Sequence, residues 1–127
     1  MSRLILDAGA FLALERGDAA MWSRLRGARM DGLAPRTHGG IVGQVWRGRC
    51  ARQALLARAL PALEVRALDA VRGRRAGELL AASRGDDVLD AALVLLASEG
   101  DRIVTSDVED ILVLVEARGI DIEVIRC

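Results

Sequence analysis

Apolar positions along this chain repeat at two spacings, and the alternation between them lays out the elements. Arg3 to Leu6 is a short apolar run of strand length with Asp7 directly after it. Ala8 to Glu15 then follows helical spacing, with Phe11, Leu12 and Leu14 on the side predicted to be buried. Gly17-Asp18 breaks the chain, and Asp18 is placed to cap a second helix through Met21, Trp22 and Leu25. After a turn at Asp31-Gly32, a short strand signal from Leu33 to Thr37 is interrupted by Pro35. Gly39 to Trp46 reads as a helix despite three glycines, because Ile41, Val42, Val45 and Trp46 recur at helical spacing; Gly48 ends it. Gln53 to Leu60 makes another helix, stopped by Pro61.

The second half continues in the same way. Leu63 to Leu68 alternates as a strand, with Leu63, Val65 and Ala67 on one face, and Asp69 caps a helix to about Ser83. Val88 to Ala97 is a helix apolar nearly all round, broken only by Asp90 and terminated by Gly100. Arg102 to Thr105 is a strand with Ser106-Asp107 at its carboxyl end, Asp110 to Ala117 a helix closed by Gly119, and Ile120 to Ile125 the last strand. Strands alternating with helices predict an α/β fold with a mainly parallel sheet covered on both faces. The 127 residues suit one domain spanning 1–127.

Composition narrows the class. Hydrophobic residues make up 52% and charged ones 28%, the composition of a soluble globular protein rather than of a disordered chain. The longest apolar run, Ala91 to Ala97, falls well short of the roughly 20 residues of a bilayer span, so no membrane association is expected. The start, Met-Ser-Arg-Leu-Ile-Leu-Asp, lacks the apolar core and cleavage site of a signal peptide, and a cytoplasmic protein is expected. Cys50 and Cys127 stand in no paired motif, which argues against a disulfide or zinc site. The 18 basic residues, all arginine, balance 18 acidic ones. Without lysine, a P-loop, a protein kinase site and Schiff-base chemistry are excluded.

Three aspartates then draw the chemistry together. Asp90 sits in a helix whose other faces are apolar, where an ionised carboxylate is costly unless paired or bound to metal. An arginine partner or a polar helix edge would also satisfy it. Asp7 and Asp107 each follow an apolar strand directly, at the ends where α/β sheets bind ligands. Either one alone would serve as a helix cap. Several carboxylates converging on one point repel and take up protons, and a divalent cation removes that conflict. All-oxygen ligation favours Mg²⁺ or Mn²⁺ over zinc, and such an ion suits phosphodiester hydrolysis. His38, the sole histidine, reads as a surface or capping residue.

The stretches Leu6 to Leu14 (LDAGAFLAL), Asp87 to Val94 (DVLDAALV) and Ile103 to Ile111 (IVTSDVEDI) resemble, in order and spacing, the three acidic motifs of PIN domains. The likeness covers nearly the whole chain, and its length further resembles the virulence-associated protein C toxins of bacterial toxin–antitoxin modules. The resemblance implies a three-layer α/β/α sandwich and a Mg²⁺- or Mn²⁺-dependent endoribonuclease. Asp7, Asp90 and Asp107 match the family's metal-binding acids; Thr105 and Ser106 match its small polar residues beside the last one. Asp87 and Asp110 are assisting candidates that also fit helix capping. The family's usual glutamate after the second strand corresponds to Gln44, which offers a carbonyl oxygen but no charge, so metal affinity should fall.

Arginines follow the Gln44 helix at Arg47, Arg49, Arg52 and Arg58, and Arg72, Arg74 and Arg75 form a second cluster. Arginine grips phosphate bidentately, so Arg47, Arg49 and Arg52 are candidate RNA contacts, with a solvated helix face as the alternative. Three aromatic residues, Phe11, Trp22 and Trp46, are too few for a base-stacking platform and are expected in the core or an interface. The resemblance further implies a homodimer and a small antitoxin blocking the acidic cleft. The competing function is a degenerate PIN domain that binds RNA or protein without catalysis, motivated by Gln44. A receiver-like domain would need a lysine, and an Asp-x-Asp phosphatase an acid at Gly9.

Overall fold

Short runs between the helical segments become strands, and the runs at helical spacing become helices. The computed structural model describes residues 2–48 and 51–127; Arg49 and Cys50 lie outside the described residues. The order is β1 (Leu4–Leu6), α1 (Ala8–Glu15), α2 (Ala19–Met30), β2 (Arg36–His38), α3 (Gly39–Val45), α4 (Ala54–Ala59), β3 (Glu64–Arg66), α5 (Ala70–Ala81), α6 (Val88–Val94), β4 (Arg102–Thr105), α7 (Val108–Arg118) and β5 (Glu123–Arg126). Single 3₁₀ turns occupy Ala51–Gln53 and Leu60–Ala62.

The five strands form one sheet in the order β3-β2-β1-β4-β5, and every neighbouring pair is parallel. The chain steps outward from β1 to β3 with α1 to α4 as connections, then crosses to β4 and steps to β5 through α5 to α7. Reversing the direction of travel moves right-handed crossovers to the opposite face. The packing agrees: α1 lies against α2, α3 and α4, while α5, α6 and α7 pack on one another. The result is a three-layer α/β/α sandwich. Ile5, Leu6, Phe11, Leu14, Ile103 and Ile111 are fully buried in one contiguous core. No helix is long and apolar enough to cross a membrane among the described residues.

Several element boundaries differ from expectation, each for a contact made far along the chain. β2 begins at Arg36 because Pro35 has no N–H to give a ladder; its carbonyl accepts from the Glu64 amide at 2.8 Å. On the edge strand β3, Val65 faces outward at 46% exposure. Glu64 is held instead, by Arg36 (Nη2, 3.1 Å), Arg3 (Nη1, 3.4 Å) and Arg66 (Nη2, 2.5 Å). α6 ends at Val94 rather than Ala97, and the Arg118 guanidinium donates to the carbonyls of both Val94 and Ala97. α7 begins at Val108, two residues before the expected Asp110, and β5 starts at Glu123. Trp22 is half-buried with its indole N–H on the Leu14 carbonyl at 3.0 Å, whereas Trp46 is 39% exposed.

Candidate active site at the carboxyl end of the sheet

β1 and β4 are neighbours in space, and the chain leaves them towards opposite faces of the sheet. Their carboxyl ends therefore frame the crevice where α/β sheets bind ligands. Asp7 follows β1 and Asp107 follows β4 by two residues. Asp7 is 3% exposed, and its amide extends the ladder by donating to the Val104 carbonyl at 3.0 Å. One carboxylate oxygen, Oδ1, accepts from the Ala8 amide at 2.8 Å, so the expected helix-capping role is real. The other, Oδ2, accepts from the Thr105 hydroxyl at 2.6 Å.

Thr105 joins the two strand ends. Its fully buried Oγ1 also accepts the Asp107 amide at 3.0 Å, so one hydroxyl orients Asp7 and fixes the backbone that carries Asp107. Asp107 occupies the N-cap position of α7 but its side chain makes no capping hydrogen bond. Its carboxylate is exposed, and capping does not account for it. Ser106 is exposed and packed against Gly9: a Cβ built on Gly9 would stand 2.5 Å from Ser106 Oγ. No acidic side chain fits at that position, which removes Asp-x-Asp chemistry on steric grounds.

Asp90 approaches from α6. Asp87 caps that helix, its Oδ1 accepting from the amides of Leu89 (2.8 Å) and Asp90 (3.2 Å). Desolvation pushes the Asp90 carboxyl up to about 7, reinforced by the negative charges of Asp7, Asp87, Asp107 and Asp110. The structure thus brings five of the expected acids into one electrostatic neighbourhood. A cleft of about 190 Å³ opens beside them, walled by Arg84, Asp86, Asp87, Asp90, Asp110 and Leu114. A larger depression of about 430 Å³ lies between Arg29, Arg58 and Pro61, and no carboxylate among the described residues lines it. As the side chains stand, no three acidic, histidine or cysteine groups among the described residues converge closely enough to enclose a metal ion.

The remaining expected residues are not drawn in. Gln44 is exposed on α3 and belongs to none of the hydrogen bonds that tie the carboxylates together. Arg47 is exposed and donates to the Gly43 and Trp46 carbonyls at 3.1 and 2.8 Å, closing the end of α3. Arg52 is exposed in the 3₁₀ turn, and Arg49 lies outside the described residues.

His38 corrects the sequence reading. It caps α3 as expected, Nδ1 accepting from the Gly40 amide at 3.1 Å, but it is fully buried rather than at the surface. Burial lowers its pKa despite the nearby charges of Asp7 and Asp87. Arg126, not singled out from sequence, closes the rim with Nη2 on Glu109 at 2.9 Å and Nη1 on the Ser106 carbonyl at 3.4 Å. No local pattern marks Arg126 as a rim residue, since its role depends on β5 lying beside β4. No protein-family model and no curated protein matches this chain.

Proposed function

We propose that the acidic cleft takes a divalent hard cation, Mg²⁺ or Mn²⁺, and that the protein is an endoribonuclease of the PIN type. The observation that carries this reading is the gathering of five aspartates near the β1/β4 crevice, where desolvation first and the neighbouring charges second raise Asp90 to about 7. Five mutually repelling carboxylates, none of them in a salt bridge with an arginine among the described residues, create a demand for positive charge. All the donors are oxygens, which fits a hard cation. Asp7, Asp90 and Asp107 would hold it, with Asp87 and Asp110 adding field from the rim. When bound, the cation would supply charge for the phosphate oxygens and a water acidic enough to hydrolyse a phosphodiester.

The chain's own groups have separate tasks. The Thr105 hydroxyl holds Asp7 Oδ2 in a fixed orientation. Asp90, whose carboxyl is raised to about 7, would release its proton more readily beside a bound cation. Ser106, exposed beside Asp107, is available to a phosphate oxygen. Hydrolysis along this route leaves a 5′-phosphate and a 3′-hydroxyl. The expected outcome is RNA cleavage that requires Mg²⁺ or Mn²⁺ and falls by at least about a hundredfold in Asp7→Asn and Asp90→Asn. Equal residual cleavage in those variants would sink the nuclease reading.

The order and spacing of the acidic motifs extend the proposal to the toxin of a toxin–antitoxin pair, cytoplasmic, homodimeric and held by a small antitoxin. Growth arrest on expression that disappears in Asp7→Asn tests that extension. A second reading is motivated by Gln44, a neutral exposed residue where the family carries glutamate: a PIN domain that binds RNA or protein without cleaving. RNA bound equally with and without divalent cation, and recovered intact, would favour it.

A further inference from the structure

We propose that His38 is a positioning residue for Asp90, acting through the first turn of α6; this rests on the acidic-cleft reading above. His38 is the last residue of β2 and is fully buried. Nδ1 accepts the Gly40 amide at 3.1 Å, which places the ring proton on Nε2, and Nε2 then donates to the Leu89 carbonyl at 2.9 Å. Leu89 directly precedes Asp90. One neutral ring therefore bridges two elements separated by 51 positions in the chain. A histidine merely filling core volume would not need both nitrogens committed to different helices.

The packing around this bridge leaves no slack. A Cβ built on Gly40 would stand 2.7 Å from Leu89 Cδ2 and 3.0 Å from His38 Cε1. The first turn of α6 is thus gripped twice: Asp87 holds the amides of Leu89 and Asp90, and His38 holds the Leu89 carbonyl. Asp87 belongs to the same segment as α6 and can move with it. His38 belongs to β2, which pairs with β1, the strand that delivers Asp7. The His38 bridge therefore ties the first turn of α6, which carries Asp90, to the sheet against the repulsion of the other carboxylates. The neutral ring suits this task, since a protonated one would lose the Gly40 hydrogen bond.

Two substitutions separate the ring's two bonds. His38→Gln keeps an N–H within reach of Leu89 and drops the α3 cap, whereas His38→Asn keeps the cap and drops the bridge. The probe is Mn²⁺ alone, titrated calorimetrically above the pKa of Asp90, together with amide exchange in the α6 first turn and the melting temperature of each variant. The expected result is Mn²⁺ binding weakened about tenfold in His38→Asn with faster exchange at Leu89 and Asp90, and a change of no more than about twofold in His38→Gln. Gly40→Ala, which wedges Leu89 away from the ring, should weaken binding likewise and serves if either His38 variant fails to fold. Wild-type Mn²⁺ affinity in His38→Asn or Gly40→Ala overturns the proposal, as does weakening in both His38 variants in step with lost stability. Asp90→Asn separates the two readings: if it binds Mn²⁺ like wild type, the cleft reading itself fails.

Discussion

At the scale of single residues, Asp90 is where stability and chemistry pull apart. Its carboxyl is raised from 3.8 to about 7, first by desolvation and then by the neighbouring aspartates. The native state therefore holds this proton more tightly than the unfolded chain does. Its stabilising contribution is fully present below about pH 3.8 and is lost as pH rises through 7. Asparagine keeps the shape and removes the charge. Asp90→Asn is thus expected to melt higher than wild type above pH 7, with the gain disappearing near pH 4. Because Asp90 is only half-buried, the gain is about 1 kcal/mol, or roughly 4 °C. Thermal melts of both proteins across that range check it, and an Asp90→Asn protein less stable at every pH would contradict it.

At the scale of elements, the site depends on how α1 and the β4–α7 junction fit together. Gly9 lies in the first turn of α1 with Ser106 filling the space a side chain would need. Gly9→Ala should cost about 1–3 kcal/mol, and Ser106→Gly in the same molecule should return most of it. Denaturant unfolding of the four-member cycle measures the coupling, and additive losses would refute direct contact. This junction also shows what the sequence could and could not reveal. Strand ends marked by Asp7 and Asp107 were legible because apolar runs stop there, and helix starts at Asp18, Asp69 and Asp87 because caps are local. The convergence of Thr105 on Asp7 spans 98 positions, and nothing local encodes it. The early stop of α6, the burial of His38 and the inward turn of Glu64 share that origin. Each is decided by an arginine, a carbonyl or a helix that only folding brings near.

At the scale of the whole molecule, the α/β architecture followed from the alternation of elements alone, because parallel strands joined by helices admit few topologies. The strand order, with β1 at the centre and the crossover from β3 to β4, is not written in the alternation. It nevertheless decides where Asp7 and Asp107 meet.

The same architecture separates charge. Arg3, Arg36 and Arg66 gather around Glu64, with Arg3 and Arg36 entering from the start of β1 and β2, while five aspartates crowd the strands' other ends. With a formal sum of zero, no net attraction draws a polyanion in, and the two clusters are expected to act as a dipole whose negative pole is the crevice. An approaching RNA would be turned so that it meets the molecule back to front. Asp110→Asn, on the exposed rim, should therefore raise the cation-free association rate about twofold at low ionic strength, and stopped-flow mixing would detect it. An unchanged rate would mean that the dipole does not govern encounter. On this view a divalent ion would be needed before any bond is cut: it would decide which end of the protein the substrate first sees.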